Sequence, residues 1–567
     1  MGKKIVIVGG MAGGASVAAR IRRLDETAQI TIYERDAYVS ISSCALPYYL
    51  SRTVPNADEL VLMTPEQFKA QYNIDVVVNH AVTAIDPVAQ TVQVTDQRTH
   101  EVSTAAYDEL FLATGATPLR PASLTGSDGE QVFALRNVAD VTALDTYLRT
   151  HRVTDVAVIG GGAIGVEATE NLTRAGYRVT IIEQRQQVLS ATVDSDLAQL
   201  VHKQLYDQHV DLRLGKTAQR ITDRTVDLTD GTQVTAQAVL LALGVQPNTT
   251  LARAAGVELG TTGAIRVDQH YQTNLPHVYA VGDAIEVTNA LTRQPLRLSL
   301  ALPAQMEARR AVDHLYGRPI RRHGVLGSQG LPVFDLRVAA TGLTEHAADA
   351  AQVAYRSALV IPSDKVDLMP NAHDLYLKVL FAPVTGEILG AQAIGQSEVD
   401  RQINVVATLM QQHATVEDLA DLELVYQPTV SPVKTAVVMA GLVATNLLND
   451  EYPQVDVRQV RQLVKAGATI IDVREPGEYA AGHLKGAKNI PMSQFRDRLA
   501  EIPRDRPVYL HCATAKRSYN VTRALRNRGY TNVVNIAGSF NAICETEFFH
   551  DQTTTREPIV TAYHFDL

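Results

Sequence analysis

The chain has 567 residues, of which 46% are hydrophobic and 20% charged, and its formal net charge is -9. That length exceeds what one hydrophobic core can serve, so three or four domains are expected, and the acidic balance argues against nucleic acid or an acidic membrane surface as a partner. Three cysteines cannot form a disulfide framework, which points to a reducing, intracellular compartment.

The opening "MGKKIVIVGG" has an apolar run too short for a signal-peptide core, and Val6 stands where a myristoylation site needs Ser or Thr. "TAVVMAGLVATNLL" (435–448) is too short to span a bilayer and reads as a packed helix. A soluble, cytoplasmic protein is therefore expected, with no membrane partner and no metal.

Residues 3–24, "KKIVIVGGMAGGASVAARIRRL", read as a buried strand, a glycine turn with Gly9, Gly13 and Gly14, and a helix. The next strand, "QITIYERD" (29–36), brings Glu34. Such a βαβ unit binds a dinucleotide: glycines admit the pyrophosphate, the helix N-terminus stabilises its charge, and the acid takes the ribose hydroxyls. Met11 stands where the common pattern has its middle glycine. "SISSCALPYYL" (40–50) then carries Cys44, a thiol with no second cysteine near it.

"VTDVAVIGGGAIGVEATENLTRAGYRVTIIEQR" (153–185) repeats the design with the full spacing of Gly160, Gly162 and Gly165, followed by Glu183. A carboxylate there repels a 2′-phosphate and favours NADH over NADPH, a preference that Arg185 softens. Around this second unit lie "LFLATGATP" (110–118), "LLALGVQPNT" (240–249) and "VYAVGDAIEV" (278–287), each a strand ending in a glycine turn. Asp283 in the last could accept a hydrogen bond from a sugar hydroxyl. Two such pockets suggest a flavin and a nicotinamide.

A new unit begins after "ATNLLND", with the strand "TIIDVR" and then "PVYLHC" (507–512) running into "CATAKRS". Its loop opens with Cys512 and reaches Arg517 before a helix. Backbone amides turned toward the sulfur form a nest that favours the thiolate. Cys544, in "NAICETEFF", reads as packing.

Over about residues 1–450 these motifs resemble the two-dinucleotide-binding flavoprotein disulfide reductases. The resemblance implies an α/β fold with two Rossmann-like domains. An FAD domain in two parts (1–114 and 250–324) is interrupted by an NAD(P)H domain (115–249) and followed by an α/β dimerisation domain (325–450), hence a homodimer. On the FAD side it implies Gly9, Gly10, Ala12, Gly13, Gly14, Glu34, Ala113, Thr114, Gly115 and Asp283, and on the nicotinamide side Gly160, Gly162, Gly165, Glu183 and Gly244. Arg35, Val82, Arg136, Ile164 and Ala301 join them as cofactor-binding positions. Roughly residues 455–545 resemble a rhodanese domain through "DVREPGEYAAGHLKGAKNIP", the Cys512–Arg517 loop and "NVVNIAGS" (532–539), which implies a rhodanese-like α/β domain over 455–567. Ala515 replaces the glycine usual in that loop.

Tyr49 occupies the place of the second redox cysteine of glutathione-reductase-like members, and Gln427 that of their catalytic histidine. Ala12 stands where NADH peroxidases and water-forming oxidases carry a histidine. "SSCALPYY" is similar to the coenzyme A-disulfide reductases, and Arg20, Arg22 and Arg23 match that group's basic helix. Arg20, Arg23, Ser40 and Ser43 are accordingly expected to bind substrate, with CoA as a further ligand. The group's paired tyrosines are absent from "LMPNA" (368–372), a third falls on Val430, and a phosphate-binding lysine falls on Tyr72. The expected activity is NADH- and FAD-dependent reduction of a persulfide, polysulfide or CoA disulfide through Cys44, coupled to a sulfurtransferase using Cys512 and Arg517. The competing readings are an NADH oxidase or peroxidase-like flavoprotein and a sulfur-trafficking protein with a regulatory rhodanese domain.

Overall fold

The computed structural model describes residues 2–321 and 323–565. The chain divides into two compact units, Met1–Ile182 with Lys216–Gly327, and Glu183–Gly215 with Ser328–Leu567.

In the first unit, strand Lys4–Val8 is aliphatic and buried along most of its length, as befits the middle of a parallel sheet covered on both faces. The sheet runs Val278–Ala280, Glu109–Leu112, Lys4–Val8, Gln29–Tyr33, Asp75–Val77, all parallel. Its carboxyl ends run directly into the loops that matter: Gly9 N–H donates to Tyr33 O at 2.9 Å, Ala113 N–H to Val8 O at 2.9 Å, and Val281 N–H to Leu112 O at 3.0 Å. Three turns are thereby held side by side at one edge, where open α/β sheets bind ligands.

A second parallel sheet sets Arg178–Glu183, Asp155–Ile159, Ala238–Leu241 and Val132–Phe133 in that order. The chain enters and leaves this part through a two-stranded antiparallel ribbon, Ala116–Pro118 with Val245–Pro247.

The second unit holds a five-stranded antiparallel sheet ordered Gln329–Val333, Leu336–Gly342, Ile388–Gly395, Tyr376–Phe381, Arg356–Val360. Helix Ala436–Leu448 packs there, its Ala436, Val437, Ala440 and Ala444 buried. Among the described residues no helix is long and apolar enough to cross a membrane. A further sheet, all parallel, runs Gln454–Val455, Val533–Ile536, Val508–His511, Thr469–Asp472, Lys488–Asn489.

A buried ionic knot joins parts of this unit that are far apart in sequence. Lys378, 1% exposed, lies 3.1 Å from Asp194, 3.0 Å from Asp196 and 2.8 Å from Glu345. Arg458 adds a 2.7 Å bond to Glu345 and pairs with Asp456. Burial opposes the lysine's charge, but three carboxylates outweigh it and hold Lys378 well above its ordinary value.

Candidate active sites around two glycine loops and two cysteines

Helix Ala12–Leu24 begins directly after the first loop, and its N-cap, Met11, makes no side-chain capping bond. Helix Ala163–Arg174 begins the same way at Gly162. Both leave first-turn N–H groups for an external acceptor, the arrangement that receives a pyrophosphate.

The glycines divide into two kinds. A Cβ on Gly14 would fall 1.8 Å from Gly9 O, and one on Gly165 would fall 2.0 Å from Gly160 O, so these two let helix and strand pack. A Cβ on Gly162 or Gly244 would meet nothing within 4 Å, which leaves backbone open to a ligand. The two loops therefore fit dinucleotides.

Glu34 is buried, with Oε2 accepting Gly10 N–H at 2.8 Å and Oε1 accepting Asp36 N–H at 3.0 Å. Burial pushes its carboxyl up, and the two N–H donors pull it back. Asp283 is likewise raised by burial and eased by a hydrogen bond with Ser299. Its turn is fixed by Gly282 N–H donating to Glu307 Oε2 at 2.8 Å.

Asn248, which no sequence motif singled out, locks Ala113–Gly115 in place. Its amide donates to Thr114 O, it accepts Thr114 Oγ1–H at its own carbonyl, both at 2.8 Å, and its N–H reaches Gly115 O at 2.9 Å. Arg136 pairs with Asp36, which Asn137 also contacts at 3.1 Å. Arg35, Ile164 and Ala301 are exposed; Val82 is half-buried. Glu183 closes its strand, and its Oε1 accepts Arg185 N–H at 2.8 Å while Arg185 reaches Ser190 Oγ at 2.8 Å.

The basic helix divides as well. Arg22 is buried and makes five hydrogen bonds to the carbonyls of Tyr72, Asp25, Glu26, Ala28 and Asn73. It is a packing staple and cannot turn to a phosphate, which corrects its grouping with its neighbours. Arg20 is paired with Asp313 at 2.8 Å through Nε. Arg23 is exposed.

Cys44 is exposed on the short 3-10 turn Ser43–Ala45. Ser40 ties this segment to the first glycine loop through N–H donation to Gly10 O at 3.0 Å, and takes a left-handed φ of 50° to do so. Following the cysteine, helix Leu46–Leu50 is anchored to helix Ala163–Arg174: Tyr48 Oη donates to Glu167 at 2.8 Å and Ser51 Oγ to Asn171 at 2.6 Å. The thiol thus sits on a segment fastened at one end to the first loop and at the other to the helix that starts at the second.

In the second unit, Cys512 follows strand Val508–His511 and precedes helix Lys516–Arg526. It is 1% exposed. Its N–H donates to Ser539 Oγ at 3.1 Å, and Ser518 Oγ lies 3.6 Å from its sulfur. Ala515 takes φ 70°, the left-handed turn that a glycine would make without strain. Arg517 makes a bidentate pair with Glu478 at 2.7 and 2.6 Å, which depresses Glu478 and raises Arg517. Asp472 and Arg474 pair behind the loop, and the guanidinium stacks 3.9 Å over Phe540. His511 is fully buried, and burial pushes its pKa down. Cys544 is buried inside helix Ser539–Thr553. Glu478, Ser518 and Ser539 carry no spacing signal of their own, although the first lies in "EPGEY" and the others beside Arg517 and at the end of "NVVNIAGS".

Residues 3–308 match the family model of pyridine nucleotide-disulphide oxidoreductases, 329–437 that family's dimerisation domain, and 456–546 the rhodanese-like domain. A coenzyme A disulfide reductase of Staphylococcus haemolyticus is 31% identical over 446 residues, 78% of this chain and 100% of that protein. The structure of reduced Bacillus anthracis CoADR-RHD is 37% identical, with a TM-score of 0.93, covering 96% of this chain and 98% of that one. A NAD-dependent persulfide reductase from A. fulgidus is 30% identical, with a TM-score of 0.90, covering 95% of this chain and 99% of that one.

Proposed function

Because the chain belongs to the pyridine nucleotide-disulphide oxidoreductase family and is an oxidoreductase, we propose that it reduces the sulfur–sulfur bond of a small-molecule persulfide, polysulfide or CoA disulfide through Cys44. NADH is the reductant in this reading, on the strength of the Glu183 carboxylate, and FAD is the resident flavin. The observation that carries it is the setting of Cys44: exposed, fastened between the first glycine loop and the helix that follows the second, and the only cysteine of its unit. With no neighbouring thiol to close a disulfide, the substrate must bring the second sulfur.

The Cys44 thiolate attacks the persulfide R–S–SH, an S–S bond forms at Cys44, and the carrier leaves as a thiolate. A flavin held at the Gly9–Gly14 loop and a nicotinamide held at the Gly160–Gly165 loop would supply the two electrons that return Cys44 to the thiol. Net, NADH, a proton and R–S–SH give NAD, R–SH and hydrogen sulfide. Ser40 and Ser43 flank the incoming sulfur in this reading, and Arg23, exposed and with no ion pair among the described residues, is the cation of its helix for the phosphate end of CoA. Arg20 would have to leave Asp313 to share that role. Cys512 carries sulfur as a persulfide in the coupled sulfurtransferase.

A reducing, cytoplasmic setting keeps both thiols available, and a homodimer accords with the match to the dimerisation model and with the exposed Leu368, Val425 and Val433 of the second unit. The test is anaerobic NADH consumption with glutathione persulfide, CoA persulfide or CoA disulfide, each against air alone. Fast anaerobic turnover with a persulfide or CoA disulfide is expected. Turnover only when oxygen is admitted would establish an oxidase instead.

A further inference from the structure

We propose that a cleft in the second unit, lined by Glu545, binds a small aliphatic primary amine as its ammonium ion. None of its residues belongs to the glycine loops or cysteine loops described above, so the inference stands independently of the proposed reduction.

The cleft has a volume of about 250 Å³ and gathers side chains that are far apart in sequence. Helix Ser195–Asp207 brings Lys203, Gln204 and Asp207 to it, one stripe at spacings of three and four. Asp335 comes from the turn between strands Gln329–Val333 and Leu336–Gly342, and Gln396 follows strand Ile388–Gly395. Helix Ser539–Thr553 supplies Glu545.

Glu545 is the group that asks for a ligand. It is 2% exposed, and its Oε2 has no hydrogen-bond partner among the described residues. A buried carboxyl left in this state is costly, and a donor entering the cleft would offset that cost. The protein's own cation there is engaged elsewhere: Lys203 Nζ bonds Asp207 at 2.7 Å and lies 4.2 Å from the centre of the Phe565 ring. Asp335 is exposed and has no ion pair among the described residues.

Three carboxyl groups against one ammonium make the lining attractive to cations and unsuited to anions. Among the described residues no group of three His, Cys, Asp or Glu is placed to hold a metal ion. A primary ammonium asks for less. Its three N–H donors can be met by one carboxylate and by neighbouring oxygens, which the half-buried amides of Gln204 and Gln396 also offer. The volume is several times the ~30 Å³ share of one water, which leaves room for a chain of a few carbons.

Binding carries a proton signature. Burial pushes the Glu545 carboxyl up to about 8, so it is mostly protonated at neutral pH in the free protein. The charged groups that bear on it are Lys203 and Asp207 of helix Ser195–Asp207, and Asp374 just before strand Tyr376–Phe381. Of these only Lys203 favours the carboxylate. An arriving R–NH3⁺ converts the carboxyl to a carboxylate paired with the ammonium, and the displaced proton goes to the buffer.

The test is isothermal titration calorimetry of the full-length holoprotein with 1,4-diaminobutane, in two buffers of different ionisation enthalpy near neutral pH. Saturable binding is expected, with release of about one proton per molecule bound. Affinity should rise by up to about tenfold per pH unit below the Glu545 pKa and level off above it. Glu545→Gln keeps the side chain's size and should weaken binding about tenfold or more while abolishing the proton release. The uncharged 1,4-butanediol should not bind. Absence of saturable binding, equal binding of the diol, or unchanged affinity and proton release in Glu545→Gln overturns the proposal. Displacement of the amine by an equal concentration of sodium chloride overturns it too, since that marks surface charge alone.

Discussion

Lys378 donates to both carboxylate oxygens of Asp196, at 3.1 and 3.0 Å, deep in the second unit. Asp196 lies in the first turn of a helix that starts at Ser195, and Lys378 on a strand nearly two hundred residues later. Glu345 and Asp194 complete the cage, and Arg458 links it to the start of the last parallel sheet.

Removing one member of such a buried cage leaves uncompensated charge in a low dielectric. Lys378→Met is expected to lower the stability of the second unit by about 3–5 kcal/mol. Denaturant unfolding monitored through the second unit checks this, and a loss below about 1 kcal/mol would show the cage to be hydrated and weak.

Cys44→Ser separates the two halves of the proposed cycle. Anaerobic bleaching of the flavin by NADH should persist within about threefold, because the substitution leaves both glycine loops intact. Persulfide turnover should fall by roughly two orders of magnitude or more, as for loss of a covalent nucleophile. Stopped-flow absorbance and steady-state NADH consumption on the same preparation report the two effects. Retained turnover would place the chemistry elsewhere.

Gly162 and Gly165 lie three residues apart and should respond oppositely to alanine. A methyl at Gly162 meets no protein atom within 4 Å, so Gly162→Ala should fold normally yet raise the KM for NADH about tenfold by crowding the pyrophosphate. A methyl at Gly165 strikes Gly160 O at 2.0 Å, so Gly165→Ala should destabilise the first unit itself. Thermal melts beside NADH titrations distinguish the two. Equal loss of stability in both variants would show that Gly162 is a packing glycine.

Glu545 gives the second unit a pH dependence of known sign. It is 2% exposed, its Oε2 has no hydrogen-bond partner among the described residues, and burial pushes its carboxyl up to about 8. A carboxyl raised on folding contributes stability that is full below about pH 4.5 and is lost as pH rises to about 8, at about 1.4 kcal/mol per pH unit across that window. Glu545→Gln removes the ionisation, so the variant should gain on wild type steadily between those limits, by a few kcal/mol in all. Parallel stability–pH curves for the two proteins would refute this.

The chain order of the motifs was legible because each is local. A buried strand, a glycine turn, a helix and an acid fall within about thirty residues, and the structure builds both such units at the carboxyl ends of interior strands of parallel sheets. The cysteine-to-arginine loop at Cys512 is equally compact. Arg22 was misgrouped because spacing along a helix does not reveal which side chains find backbone carbonyls across a fold, and those of Tyr72 and Asn73 lie some fifty residues away. Asn248 escaped notice for the same reason, since Thr114 is its partner only once a ribbon has paired.

By itself, then, the sequence determined the chemistry on offer: two glycine loops for dinucleotides, a solitary thiol in one unit, and a thiol-and-arginine loop in the other. Periodicity and short-range spacing specify these because the backbone geometry that makes them is local. Only the tertiary structure decided that Ser40 and Tyr48 fasten the Cys44 segment at both ends, and that Glu478 takes the fork of Arg517. Hydrogen bonds and ion pairs are short-ranged and directional, so which distant groups meet follows from how whole elements pack.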